Sequence, residues 1–341
     1  MSAMTASPAD RGALVVDKVP LDGVRALQDM LYRTAEADPG RRFHALWDKV
    51  LRRDVLWRAW VAARRNDGAP GIDRTTLDWI EKEYGIDRLL DELSSELRDG
   101  SYRPRPARRV DIPKPGTTGQ RLLSIPAVRD RVVQDPATIV LEPIFEADFA
   151  PCSFGFRPKR GRHEALQVLV DESLRGRRWV VETDVAACVS AIPQDRLMTA
   201  VEERVCDQSV LRLMRAMLRA AVMESGVVRH PDTGTPQGEV VSPLMCTVYL
   251  HRLERVRDTR EFGVLVRFAD DLPAPCRSGQ QAALARLRPL LADLGLAPKQ
   301  AKTRIVELVA GGEGFDFPGF PHRMARSPGV HGRRGAEFLA R

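Results

Sequence analysis

Three acids in this chain stand where they could do chemistry together. The run Leu265-Val266-Arg267-Phe268-Ala269 halts at Asp270 and Asp271. Consecutive strand residues face opposite ways, so only a turn lets both carboxylates serve one ion. A paired acid at a strand end suits a hard divalent cation such as Mg²⁺, which keeps several waters and takes one or two carboxylates beside a substrate phosphate. Taken alone, an acid pair at a turn is more often a solvated cap. The run Trp179-Val180-Val181-Glu182-Thr183-Asp184-Val185 is a second strand candidate, and it delivers a further carboxylate, Asp184. Three carboxylates on two strand ends have the capacity to hold two cations about 4 Å apart, which activate an attacking hydroxyl and stabilise a phosphate leaving group.

The elements that must position these acids are partly visible in the pattern. With 341 residues, 43% of them hydrophobic, the chain is globular and long enough for two or three domains. Residues 1–45 read as an N-terminal extension around one helix, Leu21 to Ala35. A helical stretch follows from His44 to Arg65 and closes at Asn66-Asp67-Gly68. Gly68-Ala69-Pro70-Gly71 is a turn rather than a phosphate cradle, since no Gly-Lys-Ser/Thr follows. Gln208 to Met223 carries one apolar face and predicts a packed helix. Gly234 to Gly238 is a polar turn before the apolar run Val240 to Leu250. Gln281 to Leu294 predicts a helix weakened by Pro289 and ended by Gly295. Lys302 to Val306 reads as a short strand, and Gly314 to Phe320 as a turn with aromatic anchors.

Charge points to a polyanionic partner. Fifty-three Lys and Arg against 46 Asp and Glu leave a formal charge of +7, which concentrates phosphates at the surface. Only seven of the basic residues are Lys, a bias that an arginine-rich genome explains as well as selection for phosphate contacts does. The densest basic region holds Arg103, Arg105, Arg108, Arg109, Lys114, Arg121, Arg129 and Arg131, broken by Pro and Gly so that strands and turns display it. Arg157, Lys159, Arg160 and Arg162 follow Ser153-Phe154-Gly155-Phe156. Bases among aromatics suit a phosphate backbone with stackable bases, although Phe154 and Phe156 are equally good core residues. The five cysteines show no Cys-x-x-Cys spacing and read as reduced, mostly buried thiols of a cytoplasmic protein. No apolar run approaches the ~18 residues of a membrane span.

Taken together, these motifs resemble the reverse transcriptases encoded by bacterial group II introns. The resemblance runs from about Gly68 onward. Its finger motifs are Gly71-Ile72-Asp73, Tyr102-Arg103-Pro104, Ile112-Pro113-Lys114-Pro115, Val128 to Gln134 and Leu141-Glu142-Pro143-Ile144-Phe145-Glu146. It continues through Cys152 to Pro158, Thr235-Pro236-Gln237-Gly238, Ser242-Pro243-Leu244, Phe268-Ala269-Asp270-Asp271 and Gly314-Phe315-Asp316-Phe317. It implies an α+β right-hand polymerase with fingers and a ferredoxin-like palm, and a thumb that is absent here. Fingers are then expected over 46–165 and palm over 166–325, with 190–238 partly returning to the fingers and 326–341 a truncated approach to the thumb. By position, the implied catalytic and metal ligands are Asp184, Asp270 and Asp271, with Val185 beside them. Lys114, Arg121, Val189 and Gln237 are implied at the incoming nucleotide. Arg108, Arg109, Arg157, Lys159, Arg160, Phe317 and Gly319 are implied along nucleic acid. Lys302 sits in the family's Lys-Thr motif.

The resemblance implies two Mg²⁺ ions, with Mn²⁺ as the substitute, deoxynucleoside triphosphates, an RNA template such as intron RNA, and a DNA primer. It implies no membrane and leaves the oligomeric state open. Departures from the family pattern bear on activity. Val189 stands where a bulky aromatic is usual, Ser190 where an aspartate is usual, and Glu239 where a second glycine is usual. Pro273 and Pro275 interrupt the strand after the acids, Pro318 replaces a leucine, and Pro136 falls within an expected helix. Each proline removes a backbone donor and costs up to ~3 kcal/mol inside a regular element. The expectation is an RNA-directed DNA polymerase with impaired activity. The alternatives are an RNA-binding remnant that no longer polymerises and a domesticated reverse transcriptase serving another system such as defence.

Overall fold

The computed structural model describes residues 22–113, 120–224, 226–230, 233–235, 238–256, 264–317, 320–326 and 336–340. The fold is α+β. Its principal helices in chain order are α1 (Asp22–Ala37), α2 (Arg53–Asn66), α3 (Ile86–Asp99), α4 (Val128–Glu146), α5 (Arg162–Leu174), α6 (Gln208–Leu218), α7 (Ser242–Val256) and α8 (Gln280–Asp293). The strands are β1 (Ala107–Pro113), β2 (Gln120–Ile125), β3 (Trp179–Glu182), β4 (Val222–Glu224), β5 (Val227–Arg229), β6 (Ala274–Cys276), β7 (Arg304–Glu307), β8 (Phe315–Phe317), β9 (Phe320–Arg326) and β10 (Ala336–Ala340). Two compact units divide the chain: residues 1–148 with 198–242, and residues 149–197 with 243–341. No helix among the described residues is long and apolar enough to cross a membrane.

In the first unit, apolar residues at helical spacing decide the packing. α1 buries Val24, Leu27, Leu31 and Ala35 on one stripe, and α3 buries Leu89, Leu90, Leu93 and Leu97. α4 is buried almost throughout and is flanked by α1 and α2, which explains how it continues through Pro136 and Pro143. Packing on several sides supplies what two missing backbone donors remove. The four-stranded sheet runs β2-β1-β4-β5, with β1 antiparallel to β2 and parallel to β4. The helix expected over 208–223 ends at Leu218, because Val222 and Met223 are drawn into β4 opposite Ala107 and Arg108. The helix expected over 44–65 is likewise two pieces, Trp47–Val50 and α2, parted at Arg52, whose backbone is extended. Glu239 is buried in this unit. Burial first, and the Asp130 charge second, push its carboxyl well above the usual range.

The first of these pieces is tied at its start to Asp207, the N-cap of α6. One carboxylate oxygen accepts from the amides of Ser209 (3.0 Å) and Val210 (3.3 Å), while the other accepts from those of Leu46 and Trp47, both at 2.9 Å. A single side chain thus starts two helices distant in sequence. Burial opposes its ionisation, but the four amides outweigh burial and hold its carboxyl below the ordinary range.

In the second unit, β3 lies between β6 and β7 and is antiparallel to both. Alternation along β3 supplies both faces. Val180 packs with Ala165, Leu166 and Leu169 of α5 and with Phe315 and Phe317, whereas Val181 packs with Ala283 of α8 and with Ala274 and Cys276. α8 accommodates Pro289 without ending there. The strand expected from Lys302 starts at Arg304, after a 3₁₀ turn over Gln300–Lys302. The turn expected over 314–320 contains strand β8, which pairs with β9, because alternate residues Phe315 and Phe317 both point into the core.

Replacing Asp207 with Ala should cost on the order of 2 kcal/mol, since it removes the cap of α6 and leaves buried amides unpaired. The stability that ionised Asp207 contributes is complete above its unfolded pKa and is lost as pH falls through its lower folded value. Urea unfolding of the wild type, Asp207→Ala and Asp207→Asn at neutral and acidic pH measures both effects. Asp207→Asn should be weaker at neutral pH and should lack this acid dependence.

Candidate active site

β3 delivers Asp184 just beyond its last residue, and a two-residue turn brings Asp271 opposite it. Asp184 and Asp271 form an antiparallel bridge. On either side of that bridge the Val185 amide donates to the Asp270 carbonyl at 3.0 Å and the Leu272 amide to the Thr183 carbonyl at 2.8 Å. The turn itself is closed by reciprocal 3.0 Å bonds between the backbones of Phe268 and Asp271. Its first central residue, Ala269, has φ +56°, a conformation that glycine usually supplies in such hairpins.

The prolines after the turn fit by register. The Val264 and Val266 amides donate to the carbonyls of Pro275 and Pro273, both at 3.0 Å. In a strand the N–H and C=O of one residue face the same neighbour, so the missing proline donors face 264–266 and not β3. The ladder that aligns Asp271 with Asp184 is therefore untouched by them.

Electrostatics set the acids against one another. Asp184 is buried, Asp271 half-buried and Asp270 exposed. Burial first, then the hydrogen bond and charge of Asp184, then the charge of Asp270, push the Asp271 carboxyl up to about 8, with Lys302 opposing. Lys302 Nζ sits 2.5 Å from Asp184 Oδ2, and that contact raises the lysine pKa. The backbone of Asp184 is fixed from the same segment, since the Lys299 amide donates to its carbonyl at 2.8 Å. The hydroxyls of Thr183 and Thr303 are 2.7 Å apart. Among the described residues, no three His, Cys, Asp or Glu side chains are already arranged to close around a metal ion. The donors are nonetheless all hard carboxylate oxygens, and the ammonium on Asp184 marks where they demand positive charge. In those two respects they fit a divalent cation.

The other expected site residues are placed variously. In the first unit, Arg108 gives Nε and Nη2 to the Pro70 carbonyl (3.2 and 2.9 Å), and Arg109 Nε lies 3.8 Å from Glu224. In the second unit, Arg157 is buried, donates to the carbonyls of Ala150 and Ser153 (both 2.8 Å), and stacks over Phe149. Arg160 donates to the Pro151 carbonyl and lies over Phe154, while Lys159 is exposed. Val185 and Phe317 are buried, at 1% exposure each, and Val189 is half-buried. Of the aromatic pair, Phe154 is core and Phe156 is exposed. Lys114, Gln237 and Gly319 lie outside the described residues, as does the side chain of Arg121. Two features of the site were not anticipated: the buried Arg267, and Gly155, whose missing Cβ would sit 2.2 Å from the Ala269 nitrogen. An arginine inside an apolar run and a glycine between two aromatics were the available signals.

Comparison with known proteins gives this geometry a family. Residues 112–326, more than half of the chain, match the family described as reverse transcriptase (RNA-dependent DNA polymerase). Protein YkfC of Escherichia coli is 34% identical over 68% of this chain and 62% of its own length. The group II intron-encoded protein LtrA of Lactococcus lactis is 32% identical over 67% of this chain and 38% of its own. The chain thus spans less than two thirds of either relative. A chain of the structure titled partial Cas6-RT-Cas1–Cas2 complex aligns with 70% of this chain and 40% of its own, at 23% identity and a TM-score of 0.41, a score that establishes no shared fold. By its family match and these relatives, the chain belongs to the reverse transcriptases, among the group II intron-encoded proteins and intron maturases.

Proposed function

We propose that this chain is an RNA-directed DNA polymerase whose fingers are the first unit and whose palm is the second. The observation that carries the reading is the bridge between Asp184 and Asp271, two like charges brought together at a strand end and a hairpin with Lys302 against them. Carboxylates this close share either a proton or a cation, and the Lys302 ammonium against Asp184 favours the cation. Asp184, Asp270 and Asp271, with the Val185 carbonyl beside them, would hold Mg²⁺. Bound there, the metal supplies activation of a hydroxyl nucleophile and stabilisation of a phosphate leaving group.

The chain's own groups do the rest. β3 and the two-residue turn fix the carboxylates relative to each other before any substrate arrives, so their positioning is preorganised. Lys302 balances Asp184 in the absence of metal. Basic side chains not already committed within the fold would bind the phosphates of an RNA template, a DNA primer and a deoxynucleoside triphosphate, and their affinity should fall with salt as counterion release requires. Asp184 and Asp271 lie at positions that an RNA-binding remnant would have no need to keep acidic.

Primer extension on an RNA template in Mg²⁺ tests the proposal. Wild type should extend, and Asp184→Asn and Asp270→Asn should each lose synthesis while keeping RNA affinity, because neutralising a metal ligand removes no phosphate contact. RNA binding by a wild type that adds no nucleotide would favour the remnant instead. A second expectation concerns sugar choice. Val189, half-buried in the short helix Cys188–Ala191, offers less bulk than the aromatic usual there, so ribonucleotides should be poorly excluded. Val189→Phe should shift the ratio of deoxynucleotide to ribonucleotide incorporation toward deoxynucleotides. An unchanged ratio would make Val189 ordinary packing.

A further inference from the structure

Two residues before the turn, Arg267 carries a charge into the core. Its side chain and that of Glu254 on α7 are both 0% exposed. Burying an ion pair usually gains little or nothing in stability over apolar packing, so its use here calls for another reason. Arg267 Nε donates to Glu254 Oε1 and Nη2 to Ser153 Oγ, and Nη1 reaches the Ala269 carbonyl at 3.4 Å. The other Glu254 oxygen is 3.0 Å from His251 Nδ1. Burial opposes ionisation of Glu254, but His251 and Arg267 hold its carboxyl below the usual range, so it remains an acceptor for both.

The backbone around Arg267 is fixed as well. Its amide donates to the Cys152 carbonyl and its carbonyl accepts from the Phe154 amide, both at 2.8 Å. This parallel bridge seats the 153–155 segment against the turn so closely that only glycine fits at position 155. Everything converges on Ala269, a residue with a Cβ in the left-handed region, which persists only when its surroundings enforce it.

We propose that the buried Arg267–Glu254 pair, with Ser153, is a positioning device that holds Ala269 left-handed and thereby aims the Asp270 and Asp271 carboxylates. The proposal rests on the reading of those acids as metal ligands. Arg267 touches no substrate; it acts through the turn. Lysine keeps the charge but loses the fork that joins Glu254, Ser153 and the Ala269 carbonyl at once.

The test uses the full chain, with Mn²⁺ binding followed by electron paramagnetic resonance beside primer extension and thermal unfolding. Arg267→Lys should bind Mn²⁺ about tenfold more weakly, as loss of a supporting partner commonly does. Its kcat should fall, with RNA affinity and nucleotide KM retained. Ala269→Gly relieves the enforced conformation, so adding it to Arg267→Lys should recover most of the loss. Ser153→Ala deletes one acceptor without stranding a charge, and should weaken Mn²⁺ binding severalfold even if Arg267→Lys does not fold. Wild-type Mn²⁺ affinity in the folded variants, or a loss of equal size with and without Ala269→Gly, overturns the proposal. A wild type that binds no Mn²⁺ overturns the metal reading instead. The turn is then judged by hydrogen exchange of the Asp271 amide, which donates to the Phe268 carbonyl. Exchange about tenfold faster in Arg267→Lys, or in Ser153→Ala if the lysine variant does not fold, supports the device, and equal rates overturn it.

Discussion

Asp184 and Asp271 face each other across a bridge that two flanking backbone hydrogen bonds keep closed, and like charges so placed repel unless something positive is shared between them. Much of the second unit can be understood as the structure needed to hold that repulsion. β3 sits between β6 and β7, α5 and α8 cover its two faces, and the 297–299 segment pins the backbone of Asp184 and Ala186. Among the described residues, Lys302 sets a positive charge against Asp184. Burial first, and then its acidic neighbours, push the Asp271 carboxyl up to about 8, with Lys302 opposing. A site left in this condition is short of positive charge.

The same region shows how prolines that look disruptive are accommodated. What matters in a strand is which neighbour each missing donor faces. Pro273 and Pro275 both face 264–266, where their carbonyls still accept, while Leu272 donates toward β3 and keeps the acids in register. The irregularity falls on the outer segment of the hairpin, and the Asp184–Asp271 bridge stays on the inner one. Pro136 and Pro143 in α4 are tolerated for a different reason, namely burial on several sides.

Much of the candidate site was legible because its signals are local. An apolar run that stops at acids marks a strand end, which made Asp184, Asp270 and Asp271 candidates, and the fold sets Asp184 opposite Asp271. The packing face of α6 also followed from periodicity, whereas the α+β class was what the family resemblance implied. What escaped was decided by contacts distant in sequence. The apolar face after Gln208 continues past Leu218, yet pairing with β1 turns its end into β4. Arg108 and Arg157, implied along nucleic acid, also direct guanidinium donors to backbone carbonyls distant from any sequence signal. Phe317, implied along nucleic acid, packs into the core. Arg267 is a charge within an apolar run, and only the fold brings Glu254 and Ser153 to it.

The central claim is that the acids of the second unit demand a divalent cation that Lys302 only partly replaces. Crystals grown without metal and then soaked in Mn²⁺ test it directly through anomalous scattering. The prediction is an anomalous peak between the carboxylates of Asp184 and Asp271, with Lys302 Nζ moved off Asp184 Oδ2. Well-ordered carboxylates with no peak, and Lys302 still on Asp184 at saturating Mn²⁺, would contradict it.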